Sequence, residues 1–164
     1  MGALVDSGDI DLIALDFDGV LTDNRVIVFE DGREAVVCNR ADGLAFDFLL
    51  RVGMPVYILS KERNPVVKAR AAKLGVPVLC AVDDKAKELE RLCAENGYAL
   101  ERTMYVGNDV NDLSVMKIVG HPVAVADAHP GVCDAARYIL QTRGGCGVVR
   151  EIVESVIGFD HAIS

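Results

Sequence analysis

Two carboxylates two residues apart end an apolar run, Ile10-Asp-Leu-Ile-Ala-Leu-Asp16-Phe-Asp18-Gly19. A run this rich in Leu and Ile predicts a strand buried on both faces, whose alternate side chains point the same way about 6.6 Å apart. Asp16 and Asp18 then share one side of a strand's carboxyl end, where open α/β sheets bind their ligands. Adjacent carboxylates repel by about 1 kcal/mol at 4 Å in water and by about 4 kcal/mol at an effective dielectric of 20. A divalent cation relieves that repulsion, so the pair points to metal-assisted chemistry. The bare Asp-x-Asp pattern also fits a solvated strand end or a helix cap, and partners elsewhere must support the sharper reading.

Three further polar clusters follow apolar runs: Ser60, the Asp83-Asp84-Lys85 turn, and Asn108, Asp109 and Asp112. Each alone fits helix capping, which favours Asp, Asn and Ser. Jointly they follow successive strands, and the carboxyl ends of neighbouring parallel strands converge on one crevice.

The elements that must position these residues alternate. After the first strand, residues 26–29 and 34–37 flank Asp31-Gly32 as a hairpin. A helix opens at Asp42-Gly43 and closes at Gly53. Strands over 55–59, 76–82, 104–106 and 122–125 are separated by helices from Pro65 to Leu74, from Asp84-Lys85 to Asn96, and over 113–119. A short helix from Pro130, an edge strand over 138–140 and a terminal helix over 148–157 complete the chain. Single helices between strands imply right-handed parallel crossovers. The expected architecture is therefore a three-layer α/β/α Rossmann-like fold in one domain over 1–164.

Composition narrows the function. The chain has 164 residues, a net charge of −8, no Trp and 5% aromatics, so neither a basic footprint nor stacking platforms for nucleic acid are supplied. An anionic small molecule requires positive charge concentrated at one place. No apolar run approaches the roughly 20 residues of a membrane span, and no basic-then-apolar leader opens the chain; a soluble, cytoplasmic protein with no membrane partner is expected. Five cysteines, Cys38, Cys80, Cys93, Cys133 and Cys146, form no C-x-x-C pair and read as small buried hydrophobes in a reducing compartment. His121, His129 and His161 read as loop residues.

The string Asp16-Phe-Asp18-Gly19-Val-Leu-Thr22-Asp23 resembles the first motif of the haloacid dehalogenase superfamily, and the four clusters stand in the order of that family's four motifs. The resemblance implies a hydrolase of phosphomonoesters in which Asp16 accepts the phosphoryl group, Asp18 acts as acid and then base, and Ser60 and Lys85 hold the phosphate. It implies Mg²⁺ held by Asp16, the Asp18 carbonyl and the last cluster. That cluster departs from the family's Gly-Asp-Asp-x-x-Asp by placing Asn108 where a carboxylate is usual, which predicts weaker metal binding. Asp109 or Asp112 could compensate for the lost charge.

The gaps at residues 24–53 and 61–84 are too short for an inserted cap domain, so the chain resembles the capless class. Capless relatives acting on phosphates of 3-deoxy-2-keto sugar acids form homotetramers through the hairpin and a glycine-rich tail. Arg143-Gly-Gly-Cys-Gly-Val-Val-Arg150-Glu151 is similar to that tail, and Arg40-Ala-Asp42-Gly43 to a substrate-side loop. Asp42, Glu62, Lys73, Arg143 and Arg150 are the implied substrate-side residues. Glu62 stands where relatives acting on the octulosonate 8-phosphate carry Arg, and with Lys73 resembles the nonulosonate 9-phosphate phosphatases and the C-terminal domain of N-acylneuraminate cytidylyltransferases. That last likeness leaves a second reading open, a weakly active or non-catalytic oligomerisation domain, for which Asn108 is the supporting feature. A receiver domain storing phosphate after the third strand is a third, matched only by Val82-Asp83-Asp84.

Overall fold

The computed structural model describes residues 4–158; His161 lies outside the described residues. In chain order the elements are β1 (Val5–Asp6), β2 (Leu12–Leu15), β3 (Thr22–Val28), β4 (Glu34–Cys38), α1 (Arg40–Arg51), β5 (Val56–Leu59), α2 (Val66–Leu74) and β6 (Val78–Leu79). There follow α3 (Lys85–Asn96), β7 (Thr103–Gly107), α4 (Leu113–Met116), β8 (His121–Ala124), α5 (Pro130–Ala135), β9 (Tyr138–Ile139), α6 (Val148–Glu151) and β10 (Ile157–Gly158).

Six strands form one parallel sheet in the order β6-β5-β2-β7-β8-β9. The pleat of β2 sorts its buried side chains onto both faces. Ile13 and Leu15 join the core built with Phe46 and Leu49 of α1, Val67 and Leu74 of α2, and Val148 and Val149 of α6. Leu12 and Ala14 join the core built with Leu89 of α3, Val115 of α4 and Val132 of α5. This is the three-layer arrangement expected, with no inserted cap among the described residues. Because the chain runs from β2 to β5 on one side and later places β7 on the other, the strand order reverses at β2, and a crevice opens at its carboxyl end.

Several boundaries differ from the sequence reading, each for a tertiary or capping reason. Helix α1 starts at Arg40, because the Asn39 carboxamide accepts the Ala41 N–H at 2.8 Å and serves as the cap. The strand expected over 76–82 is reduced to Val78–Leu79, since β6 is the sheet's outer strand and pairs only with β5. The helix expected over 113–119 is a 3-10 turn over Val110–Asp112 followed by one α turn. The terminal helix is α only to Glu151, continues as a π turn over Ile152–Val156, and gives way to β10, which pairs in parallel with β1. Neither β1 nor β10 carries a local signal, each being two residues long.

His121 is buried in β8 rather than in a loop, while His129 caps α5 by accepting the Gly131 N–H. All five cysteines are free; Cys93 is buried, Cys38, Cys80 and Cys133 are half-buried, and Cys146 is exposed. The β3–β4 hairpin turns at Gly32 (φ +83°) and leaves Val26, Ile27, Val28, Phe29 and Val37 about half exposed. Among the described residues no helix is long and apolar enough to cross a membrane.

Candidate active site

The centre of the site is a buried ammonium. Lys85 opens α3 directly after its cap Asp84, whose side chain accepts the Lys87 N–H. Its side chain runs inward to place Nζ 2.8 Å from Asp16 Oδ1 and 2.7 Å from Asp112 Oδ1, with none of it exposed. A buried lysine is tolerable only when its charge is matched and its N–H groups are used. Asp112 is the fixed partner. Its Oδ1 also accepts the Tyr105 hydroxyl at 2.7 Å, and its Oδ2 accepts the backbone N–H of Asn108 and Asp109. Engaged in this way, Asp112 does not line the crevice.

Asp16 follows β2 and faces Lys85 on one side and the crevice on the other. Burial pushes its carboxyl up to about 7, while the Lys85 ammonium and the Phe17 N–H pull against that rise. Asp18 is half-buried on the next turn. Burial and then the negative charge of Glu62 raise its proton affinity, a property that a proton donor requires. Gly19 (φ +79°) makes this turn possible, and a Cβ there would stand 1.9 Å from Asn108 Nδ2. Thr22 closes the loop, accepting the Gly19 N–H through Oγ1 and partnering the Asp18 carboxylate.

The crevice has a volume of about 160 Å³ and is lined by Asp16, Asp18, Ser60, Glu62, Asn108 and Asp109, with Asn24, Lys61 and Asn111 at its sides. Ser60 is buried after β5; its Oγ accepts the Glu62 N–H at 3.0 Å, which leaves its own proton for a ligand. Among the described residues no three His, Cys, Asp or Glu side chains are grouped as a metal site. The crevice does fit a hard cation through mixed donors. Among the described residues Asn108 Oδ1 is buried without a hydrogen-bond partner, in a crevice that Asp16 and Asp18 line together with Glu62 and Asp109. Oxygen-only donors with room for water match Mg²⁺. Asp109 is exposed at the rim, its Oδ1 occupied by the Val110 N–H.

Asp16, Asp18, Ser60, Lys85, Asn108, Asp109 and Glu62 are thus brought together. Four of the substrate-side expectations are not. Asp42 is buried between α1 and α6, where Oδ1 accepts the N–H groups of Val149 and Arg150 and Oδ2 has no partner. Lys73 lies exposed in the last turn of α2. Arg143 pairs with Asp127 and Arg150 with Glu154, both outside the crevice. The glycine-rich tail meets the site differently: Gly144 and Gly145 pack so closely on the loop after Asp16 that added Cβ atoms would lie 2.1 Å from Gly19 O and 2.4 Å from Asp23 N. Tyr105 and Thr22 were missed as site residues, the first because it reads as an ordinary strand aromatic and the second because its role rests on a three-residue turn.

A family model for haloacid dehalogenase-like hydrolases matches residues 78–152. The 3-deoxy-D-manno-octulosonate 8-phosphate phosphatase KdsC of Yersinia pestis is 33% identical over 152 residues, 92% of this chain and 81% of its own length. That of Escherichia coli K12 is 35% identical over 150 residues, 91% of this chain and 80% of its own. Among solved structures, a protein described as a HAD family hydrolase from Streptomyces avermitilis superposes with a TM-score of 0.91 at 51% identity, over 95% of this chain and 90% of that one. The octulosonate phosphatase of Moraxella catarrhalis, solved with magnesium, phosphate and KDO, gives 0.84 at 30% identity over 88% and 83%. Identity at this level along most of the chain, on a shared sheet topology, makes this chain a member of the haloacid dehalogenase-like hydrolases and a phosphatase of that family.

Proposed function

We propose that the chain is a Mg²⁺-dependent phosphomonoesterase that works through an aspartyl-phosphate on Asp16, with a 3-deoxy-2-keto sugar acid phosphate as its substrate. The observation that carries this reading is Lys85 Nζ held, fully buried, at 2.7 and 2.8 Å between Asp112 and Asp16, with Asp16 the member of the three that lines the crevice. A phosphate ester resists attack because its oxygens repel the nucleophile, so a site must neutralise charge and fix alignment. Lys85 does both, countering the ester's charge while fixing the Asp16 carboxylate in place.

In the first step an Asp16 oxygen bonds to phosphorus, the bond from phosphorus to the ester oxygen breaks, and Asp18 delivers its proton to the departing alkoxide. In the second, Asp18, now a carboxylate, takes a proton from water as the hydroxide bonds to phosphorus and the bond to Asp16 breaks. The Ser60 hydroxyl donates to a phosphoryl oxygen throughout. Asp16, the Asp18 carbonyl and Asn108, with Asp109 at the rim, would hold Mg²⁺, which supplies charge neutralisation to the phosphoryl oxygens. The named substrates of the relatives favour the eight-carbon octulosonate 8-phosphate, and Glu62 in the crevice favours a nine-carbon nonulosonate 9-phosphate. The half-exposed apolar hairpin supports the expected homotetramer, and its check is the mass in solution by light scattering.

The deciding experiment is steady-state phosphate release from a panel of phosphorylated eight- and nine-carbon keto acids, with and without Mg²⁺. Wild type should turn over at least one of them, and Asp16→Asn should be slower by about 10³-fold or more. Equal rates for the two proteins would reject the reading.

A further inference from the structure

Among the described residues only Asn24 (φ +64°) and Ala81 (φ +57°) hold a left-handed backbone without being glycine. Such a residue carries about 1 kcal/mol of strain or more, and strain of this kind concentrates where a side chain is being aimed. At Asn24 the cause is visible. Thr22 pairs with Cys38 and Val26 with Val36, so three residues of β3 stand opposite the single Val37 of β4. This bulge bends the strand just above the nucleophile loop and turns Asn24 to the side of the crevice. The Asp23–Arg25 ion pair and the Thr22 hydroxyl, which accepts the Asn24 N–H at 3.2 Å, hold the bend from both sides.

Resting on the phosphatase reading above, we propose that Asn24 is a specificity-determining residue whose carboxamide hydrogen-bonds a hydroxyl of the leaving group. Three observations carry this. Asn24 hangs from the same Thr22 hydroxyl that partners Asp18, and Asp18 is the group that protonates the departing alcohol, so Asn24 stands on the leaving-group side. Asn24 lines the crevice, and among the described residues its side chain has no hydrogen-bond partner. The charged residues that share the crevice lining with it are Asp16, Asp18, Glu62 and Asp109 against the single Lys61, a net negative balance that disfavours a carboxylate there and suits a neutral hydroxyl that both donates and accepts. The class of ligand is a polyhydroxylated alkyl phosphate, as against a phosphate of a bare aromatic or alkyl alcohol.

Asn24→Gly tests this cleanly, because glycine keeps the left-handed backbone and removes only the amide. The readout is the ratio of kcat/KM for the best sugar acid phosphate of the panel to kcat/KM for p-nitrophenyl phosphate, whose leaving group has no hydroxyl to read. The ratio should fall about tenfold, carried by KM for the sugar acid phosphate, with the thermal midpoint at or above that of wild type. A ratio within twofold of wild type overturns the inference, as does a lowered midpoint, which would make the amide structural. Wild type that hydrolyses p-nitrophenyl phosphate but no sugar acid phosphate overturns the inference and the substrate named above, and leaves the phosphatase chemistry on Asp16 standing. Wild type inactive on every ester overturns the phosphatase reading and this inference with it.

Discussion

The molecule buries two assemblies of carboxylate and N–H groups, and they use the charge in opposite ways. Around Lys85, Asp16 and Asp112 share one ammonium, and Asp16 opens onto a crevice. Around Asp42, a single carboxylate caps the start of α6 through one oxygen and leaves the other without a partner. Burial lifts both acids, Asp16 to about 7 and Asp42 to about 6. The difference lies in what stands beside them. A buried carboxylate serves chemistry where an ionised group in direct contact fixes it and a ligand can reach it; Asp42, which feels the Arg70 charge without an ion pair to it, serves to join two elements.

Removing the shared cation is the most severe way to break this contrast. Lys85→Met leaves Asp16 and Asp112 facing each other in a desolvated space, and should lower unfolding free energy by about 3–5 kcal/mol in denaturant titration while abolishing phosphate release. Tightening the loop that carries Asp16 is next. In Gly144→Ala the new methyl meets the backbone oxygen of Gly19, which cannot swing away as a side chain could. The expected loss is about 2 kcal/mol in stability, with reduced kcat for the nucleophile loop it displaces.

The Asn108 position sharpens the comparison rather than breaking it. Asn108→Asp converts an unpartnered neutral oxygen into a fifth carboxylate at the crevice, after Asp16, Asp18, Glu62 and Asp109. Mg²⁺ affinity measured by calorimetry should rise about tenfold, and the thermal midpoint without Mg²⁺ should fall, because the new charge then has no counterion. An unchanged affinity would show that this oxygen does not meet the ion.

Asp42 should give the smallest effect, and one with a definite pH signature. Its folded pKa, raised by burial to about 6, lies above an unfolded value of about 3.9. Folding takes up a proton between these values, so the stability Asp42 contributes is present below about pH 4 and lost as the pH rises through 6. Asp42→Asn keeps an acceptor for Val149 and Arg150 and has no charge to bury. It should be more stable than wild type by about 1–2 kcal/mol at pH 8 and no more stable at pH 4. A variant that loses stability at pH 8 would show that the attraction of the Arg70 charge outweighs the cost of burying the Asp42 carboxylate.

Much of the site was legible without coordinates because its residues sit at ends of apolar runs. Strand, polar end and following helix form a local pattern, and it put Asp16, Asp18, Ser60, Lys85 and Asn108 at neighbouring strand ends before any contact was known. The capless architecture followed from gap lengths once the family resemblance had implied where a cap would be inserted. Asp42 shows where local reasoning stops. Near a helix start it reads as a cap or a loop group, yet its partners Val149 and Arg150 lie 107 and 108 residues away. Arg143 and Arg150 lie outside the crevice, and of their segment it is Gly144 and Gly145 that pack against the loop after Asp16.

The order of apolar runs and polar ends, set by side-chain hydropathy and strand periodicity, determined the sheet, the domain class and the acid pair. Only the folded chain decided that Asp112 and Tyr105 fix Lys85, that Asp42 joins two helices, that β1 meets β10, and that a bulge turns Asn24 to the crevice. The physical reason is range. A strand and its ending are written in consecutive residues, whereas a hydrogen bond between distant side chains exists only once packing has removed the water that would otherwise satisfy each group separately.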